Sequence, residues 1–287
     1  MDFAAWGAPL TEQDLDRAVA LTGCEAAALW TLVTVEASGV GFLADRRPRL
    51  LFERHYFCRL TGGRFDALDP DISAPAAGGY GPGGSHQYDR LQAALVLDPA
   101  AALRSASWGL GQVMGAAFAS AGYADVEAMV ADCVTGEGGQ LRCLARFLVH
   151  TGLATALRDR NWTRLARGYN GPDFAAQHYD ERLAASHRRL LEEGLPDLAV
   201  RAAQLGLTYQ ARPVSVDGRM GPATQAALGA FQAEVGLAVT RAPDTPRWCA
   251  CSRRPRGRHA RSSPRQRGGP DRSPVVPVAR ALCGCLR

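Results

Sequence analysis

The sequence predicts a mainly α-helical protein with a small β component, followed by a small second helical module and a tail with no core of its own. Three observations carry this. Apolar residues recur at helical spacing through most of the chain up to about residue 193. A loop-rich insert breaks that pattern after the second helix. From Arg247 the apolar periodicity stops altogether. With 287 residues, 47% of them apolar, the chain can bury one large core and one small one. No apolar run approaches the length of a membrane span.

The net charge of +5 divides unevenly. Residues 247–287 hold 11 of the 33 basic residues and a single acid, Asp271, of the 28 acids. The remaining 246 residues therefore carry 22 arginines against 27 acids and are mildly acidic. Lysine is absent, which points to compositional bias in the coding DNA rather than to a binding surface. The tail has 11 arginines but no interleaved aromatics beyond Trp248, so no nucleic-acid partner is expected.

The first helix opens at "PLTEQDL": Thr11 is the N-cap, Asp14 completes a capping box, and Leu10 and Leu15 form a hydrophobic staple. A second helix runs from about Glu25 to Ala37, with Gly39 placed to end it in a left-handed conformation. Glu36 falls in its last turn, where the helix dipole opposes a negative charge. "RPRLLFERHYF" (47–57) reads as a short strand or buried segment, and 61–86 as loop. Helical patterns return at 87–97, 99–106, 109–121, 125–132, 137–155, 158–167 and 175–193. Residues 196–242 form the small module, with a turn at Asp217-Gly218 and a helix start near Thr224. The Arg- and Pro-rich residues 247–287 are expected to be disordered, after an abrupt change of the kind a shifted reading frame produces.

Cys24, Cys58, Cys133 and Cys143 lie singly in apolar or helical contexts and are expected to be free thiols. The CAC and CGC pairs of the tail lack the spacing of common zinc modules, and His55 and His86 have no partner at ligand spacing. No metal or other cofactor is expected. "MDFAAWGAPLTEQD" lacks the basic region and apolar core of a signal peptide, so a cytoplasmic product is expected.

Three stretches carry chemistry: "VEASG" around Glu36, "SASWGLGQVMG" (105–115) with Ser107 and Gln112, and "ARGYNGP" (166–172) with Tyr169 and Asn170. In this order they resemble the goose-type lysozyme and lytic transglycosylase superfamily. With "LLFERHYFCRLTGGRFD", "PDIS", "GGYG" and "QYDRL" added, residues 10–192 look like the N-acetylmuramidase family of phage and prophage endolysins. Val200, Gln204, Leu205, Asp217-Gly218, Gly221-Pro222, Thr224, Ala227-Leu228 and Phe231-Gln232 resemble a peptidoglycan-binding domain of type 1.

The resemblance implies a lysozyme-like α(+small β) catalytic domain over 8–195, a small three-helix peptidoglycan-binding module over 196–246, and cleavage of the β-1,4 bond between N-acetylmuramic acid and N-acetylglucosamine. It implies peptidoglycan glycan strands as partner, a monomer without stable membrane insertion, and release to the wall after synthesis. The chemistry agrees, because glycoside cleavage needs a carboxyl that keeps its proton near neutral pH, and burial raises a carboxyl pKa. Glu36 fits that need as general acid; alone it would read as a surface residue at a helix end. Glu53, among apolar neighbours, is either a second catalytic carboxylate or half of a buried ion pair with Arg54 or another arginine. Asp71 is a weaker candidate, with a turn role as its competitor. Ser107 and Gln112 are expected to bind sugar acetamido groups, Ser107 doubling as an N-cap, and Tyr169 and Asn170 to line the cleft. Trp108 is either core or a stacking platform. A transglycosylase that leaves anhydro ends, and a non-catalytic wall-binding protein, are the alternatives.

Overall fold

The computed structural model describes residues 3–243. The expected tail, with its four cysteines, lies outside the described residues. Helix α1 (Glu12–Thr22) starts on the expected capping box: Thr11 accepts from the Asp14 N–H, and Asp14 accepts from the Thr11 N–H. Leu10 and Leu15 are both buried beside it. Helix α2 (Ala26–Ala37) is apolar nearly all round, so it is enclosed rather than half-exposed. It packs against α1, α8 (Leu153–Arg158), α10 (Tyr179–Glu193) and the 3-10 turn at Gly109–Gly111.

The end of α2 is tighter than expected. Ser38, at φ 52°, is the first left-handed residue, and Gly39 at φ 74° is the second. Their N–H groups close on the Thr34 and Val33 carbonyls.

Strand β1 (Leu50–Phe52) is shorter than the apolar stretch around it, because Glu53 starts helix α3 (Arg54–Thr61). Tyr56, Phe57 and Thr61 supply the buried face of α3, a helical spacing hidden in a β-prone composition. Residues 62–85 are loop, stitched down by α4 (His86–Leu97). Gln87 donates to the Tyr80 and Pro82 carbonyls at 2.7 and 2.8 Å, and Arg90 to the Phe52 and Tyr80 carbonyls at 3.1 and 3.3 Å.

Helix α5 (Pro99–Arg104) leads to the largest departure from expectation. Residues 106–117 are not helix: they form β2 (Ala106–Trp108), a 3-10 turn, β3 (Val113–Met114) and a second 3-10 turn at Gly115–Ala117. The three strands make one antiparallel sheet, with Leu51 opposite Ser107 and Ser107 opposite Met114. Ser107 is therefore a strand residue and caps no helix. The cause is close packing at the glycines: a Cβ on Gly115 would lie 2.1 Å from the Leu103 carbonyl oxygen, and one on Gly111 2.9 Å from Leu144. Trp108 is core, its indole N–H donating to the Leu103 carbonyl at 3.3 Å.

Helices α6 (Val126–Thr135), α7 (Glu137–His150), α8, α9 (Trp162–Asn170) and α10 complete the large body, with α7 packed on α1, α6 and α8. Two helices of the small module lie within the described residues, α11 (Leu198–Tyr209) and α12 (Pro222–Glu234). Ala203, Leu207, Leu228 and Phe231 form their core. The buried Gln204 knots the module's turn. Its Oε1 accepts from the Asp217 and Gly218 N–H groups, and its Nε2 donates to Asp217, Arg219 and Thr224 oxygens. These motif residues thus hold the fold. Cys24, Cys133 and Cys143 are buried and Cys58 half-buried; all four are free.

Candidate active site

Glu36 lies on the last turn of α2 and is 9% exposed. Burial pushes its carboxyl up to about 8, against a hydrogen bond from Tyr179 and the Arg182 charge, which both hold it down. Desolvation outweighs the one hydroxyl donor and the one nearby cation. The Tyr179 hydroxyl donates to Glu36 Oε1. Arg182, one turn further along α10, donates to the Val35 carbonyl at 3.4 Å.

The three chemistry-bearing stretches meet here. Tyr169, on α9, donates its hydroxyl to the Gly111 carbonyl in the β2–β3 turn. Burial pushes the Tyr169 phenol well up, and the Glu36 carboxylate adds to that, so Tyr169 feels the charge on Glu36. Tyr179 is raised by the same causes, with Tyr169 contributing. Asn170 ends α9 and is buried.

Gln112 is held in a left-handed conformation, φ 47°, and is half-buried. Ser107 is fully buried and donates to Gln112 Oε1 at 2.9 Å, while Gln112 Nε2 donates to the Gly109 carbonyl at 2.8 Å. The Ser107 hydroxyl is thus spent on aiming Gln112.

Glu53 has partners of its own. It is 0% exposed, accepts from the Tyr80 hydroxyl at 3.3 Å, and has His55 Nδ1 at 3.1 Å from its other oxygen. Arg54, one of the arginines expected as an ion partner, instead donates to the Ala76 and Pro70 carbonyls, both at 3.3 Å. Asp71 pairs with Arg90 at 3.2 Å. Among the described residues no group of three or more His, Cys, Asp or Glu side chains could hold a metal ion.

Sequence reasoning missed Tyr179 and Arg182. A signal was present: Tyr179 and Leu183 share the buried stripe of α10, and a tyrosine there needs a partner for its hydroxyl.

A buried carboxyl at a helix end, with a tyrosine hydroxyl donating to it, is chemically suited to protonating a glycosidic oxygen. The chain belongs to the N-acetylmuramidase family, whose model matches residues 25–191. Among solved structures it is similar to a Burkholderia AP3 phage endolysin, at 35% identity and a TM-score of 0.58, over 64% of this chain and 72% of that one. No curated protein matches it. The enzyme is a glycoside hydrolase of the N-acetylmuramidase type acting on peptidoglycan. Among the described residues no single helix is long and apolar enough to cross a membrane.

Proposed function

We propose that Glu36 is the general acid of this muramidase. The observation that carries the reading is its buried carboxyl, pushed to about 8 and placed where the three motif stretches converge. With Oε1 accepting from Tyr179, the proton resides on Oε2, the oxygen left to donate to the glycosidic oxygen between N-acetylmuramic acid and N-acetylglucosamine. Once the proton has gone, the Tyr179 hydroxyl and the Arg182 charge support the carboxylate. Burial thus keeps the acid protonated at rest, and these two groups lower the cost of ionising it during the reaction.

Gln112, with a lone pair on Oε1 beyond the one Ser107 uses, is the acetamido contact. Ser107 positions it, and Tyr169 and Asn170 shape the wall beside the acid. Glu53, fully buried, accepts from the Tyr80 hydroxyl and lies 3.1 Å from His55 Nδ1, and so ties the 62–85 loop to the start of α3. Residues 8–195 form the catalytic domain, and residues 196–246 are a peptidoglycan-binding module whose fold is supported by the Gln204 knot. A solved structure that the chain resembles is a phage endolysin, and we read this chain likewise as a monomeric lysin that reaches the wall after release.

The test is the mass spectrum of fragments released from purified peptidoglycan by the parent and by Glu36→Gln. Reducing-end muramic acid from the parent alone is expected. Anhydromuramic ends would contradict hydrolysis, and equal release by both proteins would remove Glu36 from the chemistry.

A further inference from the structure

Helix α11 follows the residues that the family model matches, yet one of its side chains reaches the end of the helix that carries Glu36. Arg201 lies on the buried stripe of α11 with Leu198 and Leu205 and is 1% exposed. Its Nε donates to the Gly39 carbonyl at 3.1 Å, and a terminal nitrogen donates to the same oxygen. Its terminal nitrogens also bond both oxygens of Glu137, at 2.6 Å to Oε1. The guanidinium lies 5.4 Å from the centre of the Trp30 ring, on α2 itself.

Glu137, 0% exposed, completes the grip. It accepts from the Gly41 N–H at 3.0 Å and the Leu10 N–H at 2.9 Å. One ion pair therefore holds residue 39 by its carbonyl and residue 41 by its N–H. The next link is Gln140, which donates to the Gly41 carbonyl at 3.2 Å and accepts from the Leu110 N–H at 2.9 Å, one residue before the carbonyl that takes Tyr169.

The segment held in this way needs holding. Ser38 is a non-glycine residue in the left-handed region, and such backbone persists only where its surroundings over-determine it. A buried arginine is also unfavourable unless paired and fully hydrogen-bonded, so the partners of Arg201 are few and fixed. Those partners are the backbone just past Glu36 and the carboxylate that clamps it.

We propose that Arg201 is a positioning residue for Glu36: by fixing residues 39–41 it sets the end of α2, so the small module is part of the catalytic apparatus as well as an attachment to the wall. The proposal rests on the reading of Glu36 as the acid.

The test uses the full chain and a soluble glycan tetramer of alternating N-acetylglucosamine and N-acetylmuramic acid, too small to need wall attachment. Arg201→Met is expected to lower kcat by roughly tenfold or more, with KM changed less than about twofold, because positioning is lost and binding is not. The alkaline limb of activity should move to lower pH, as a loosened helix end admits water to Glu36. Arg201→Lys should restore part of kcat. The double variant Glu137→Gln/Arg201→Met removes both charges together and should show the same kcat loss without a stranded buried charge. A folded variant with the parent kcat and pH limb would overturn the proposal, as would one that loses only co-sedimentation with insoluble peptidoglycan. Loss of native near-ultraviolet circular dichroism in both Met variants would also overturn it, making the pair a folding element only. Glu36→Gln runs alongside: full activity there would instead sink the assignment of the acid.

Discussion

Replacing Tyr179 by Phe tests the electrostatics of the site most sharply, because the expected sign is opposite to that of ordinary damage. The Tyr179 hydroxyl donates to Glu36 Oε1 and favours the charged carboxylate. Removing it leaves burial as the dominant influence, so the carboxyl should rise above its present value of about 8. A hydrogen bond to a charged group contributes about 1.5–3 kcal/mol, and each pKa unit corresponds to about 1.4 kcal/mol, so the rise should be roughly one to two units. The alkaline limb of kcat/KM on soluble glycan fragments, which reports the essential acid in the free enzyme, should move up by that amount. The maximal rate should fall at the same time, since the departing proton leaves a carboxylate with less support. A limb that stays in place or moves down would refute the reasoning, because the hydroxyl would then not be bonded to the group that titrates in catalysis.

Three further outcomes are expected. Glu36→Gln should flatten the pH dependence of stability. From its ordinary value of 4.5 to about 8 the folded carboxyl keeps a proton that the unfolded one has released, so the parent loses stability as pH rises through that window, by on the order of 5 kcal/mol in all. Urea unfolding at pH 5 and pH 9 should show that loss in the parent and not in the variant. Gly115→Ala should destabilise by about 2 kcal/mol or more, since its Cβ would meet the Leu103 carbonyl oxygen at 2.1 Å; thermal melting checks it. Glu53→Gln should lower kcat by no more than about tenfold, whereas loss of a general acid costs about a hundredfold or more. Equal losses in Glu53→Gln and Glu36→Gln would return Glu53 to the chemistry.

Local signals in the sequence reached far where local physics decides. The α1 capping box rests on contacts within a few residues, and at the end of α2 the Ser38 and Gly39 N–H groups close on carbonyls of the helix's own last turns. The stretch 106–117 was misread because its structure is imposed from outside. Its strand β2 pairs with β1 outside the stretch as well as with β3 inside it, and its glycines are required by Leu103 and Leu144, residues that no periodicity in the stretch itself reveals. Helix α3 was hidden by aromatic and β-prone residues, although Tyr56, Phe57 and Thr61 do repeat at helical spacing. In the site, Glu36 stood out as an acid closing an apolar helix. Its partners Tyr179 and Arg182 did not, because they come from 143 and more residues away, in a helix without a motif. The same holds for Arg201: a charge in an apolar stripe announces a buried partner, but only the fold shows that this partner lies beside the end of α2.

The central claim is that Glu36 holds its proton at neutral pH. It is tested most directly by carbon-13 NMR titration of glutamate side-chain carboxyls, in the parent and in Glu36→Gln. The account predicts one carboxyl titrating near 8 in the parent and missing from the variant. If every glutamate in the parent instead titrates in the ordinary carboxylate range, about 3 to 5, the account is contradicted.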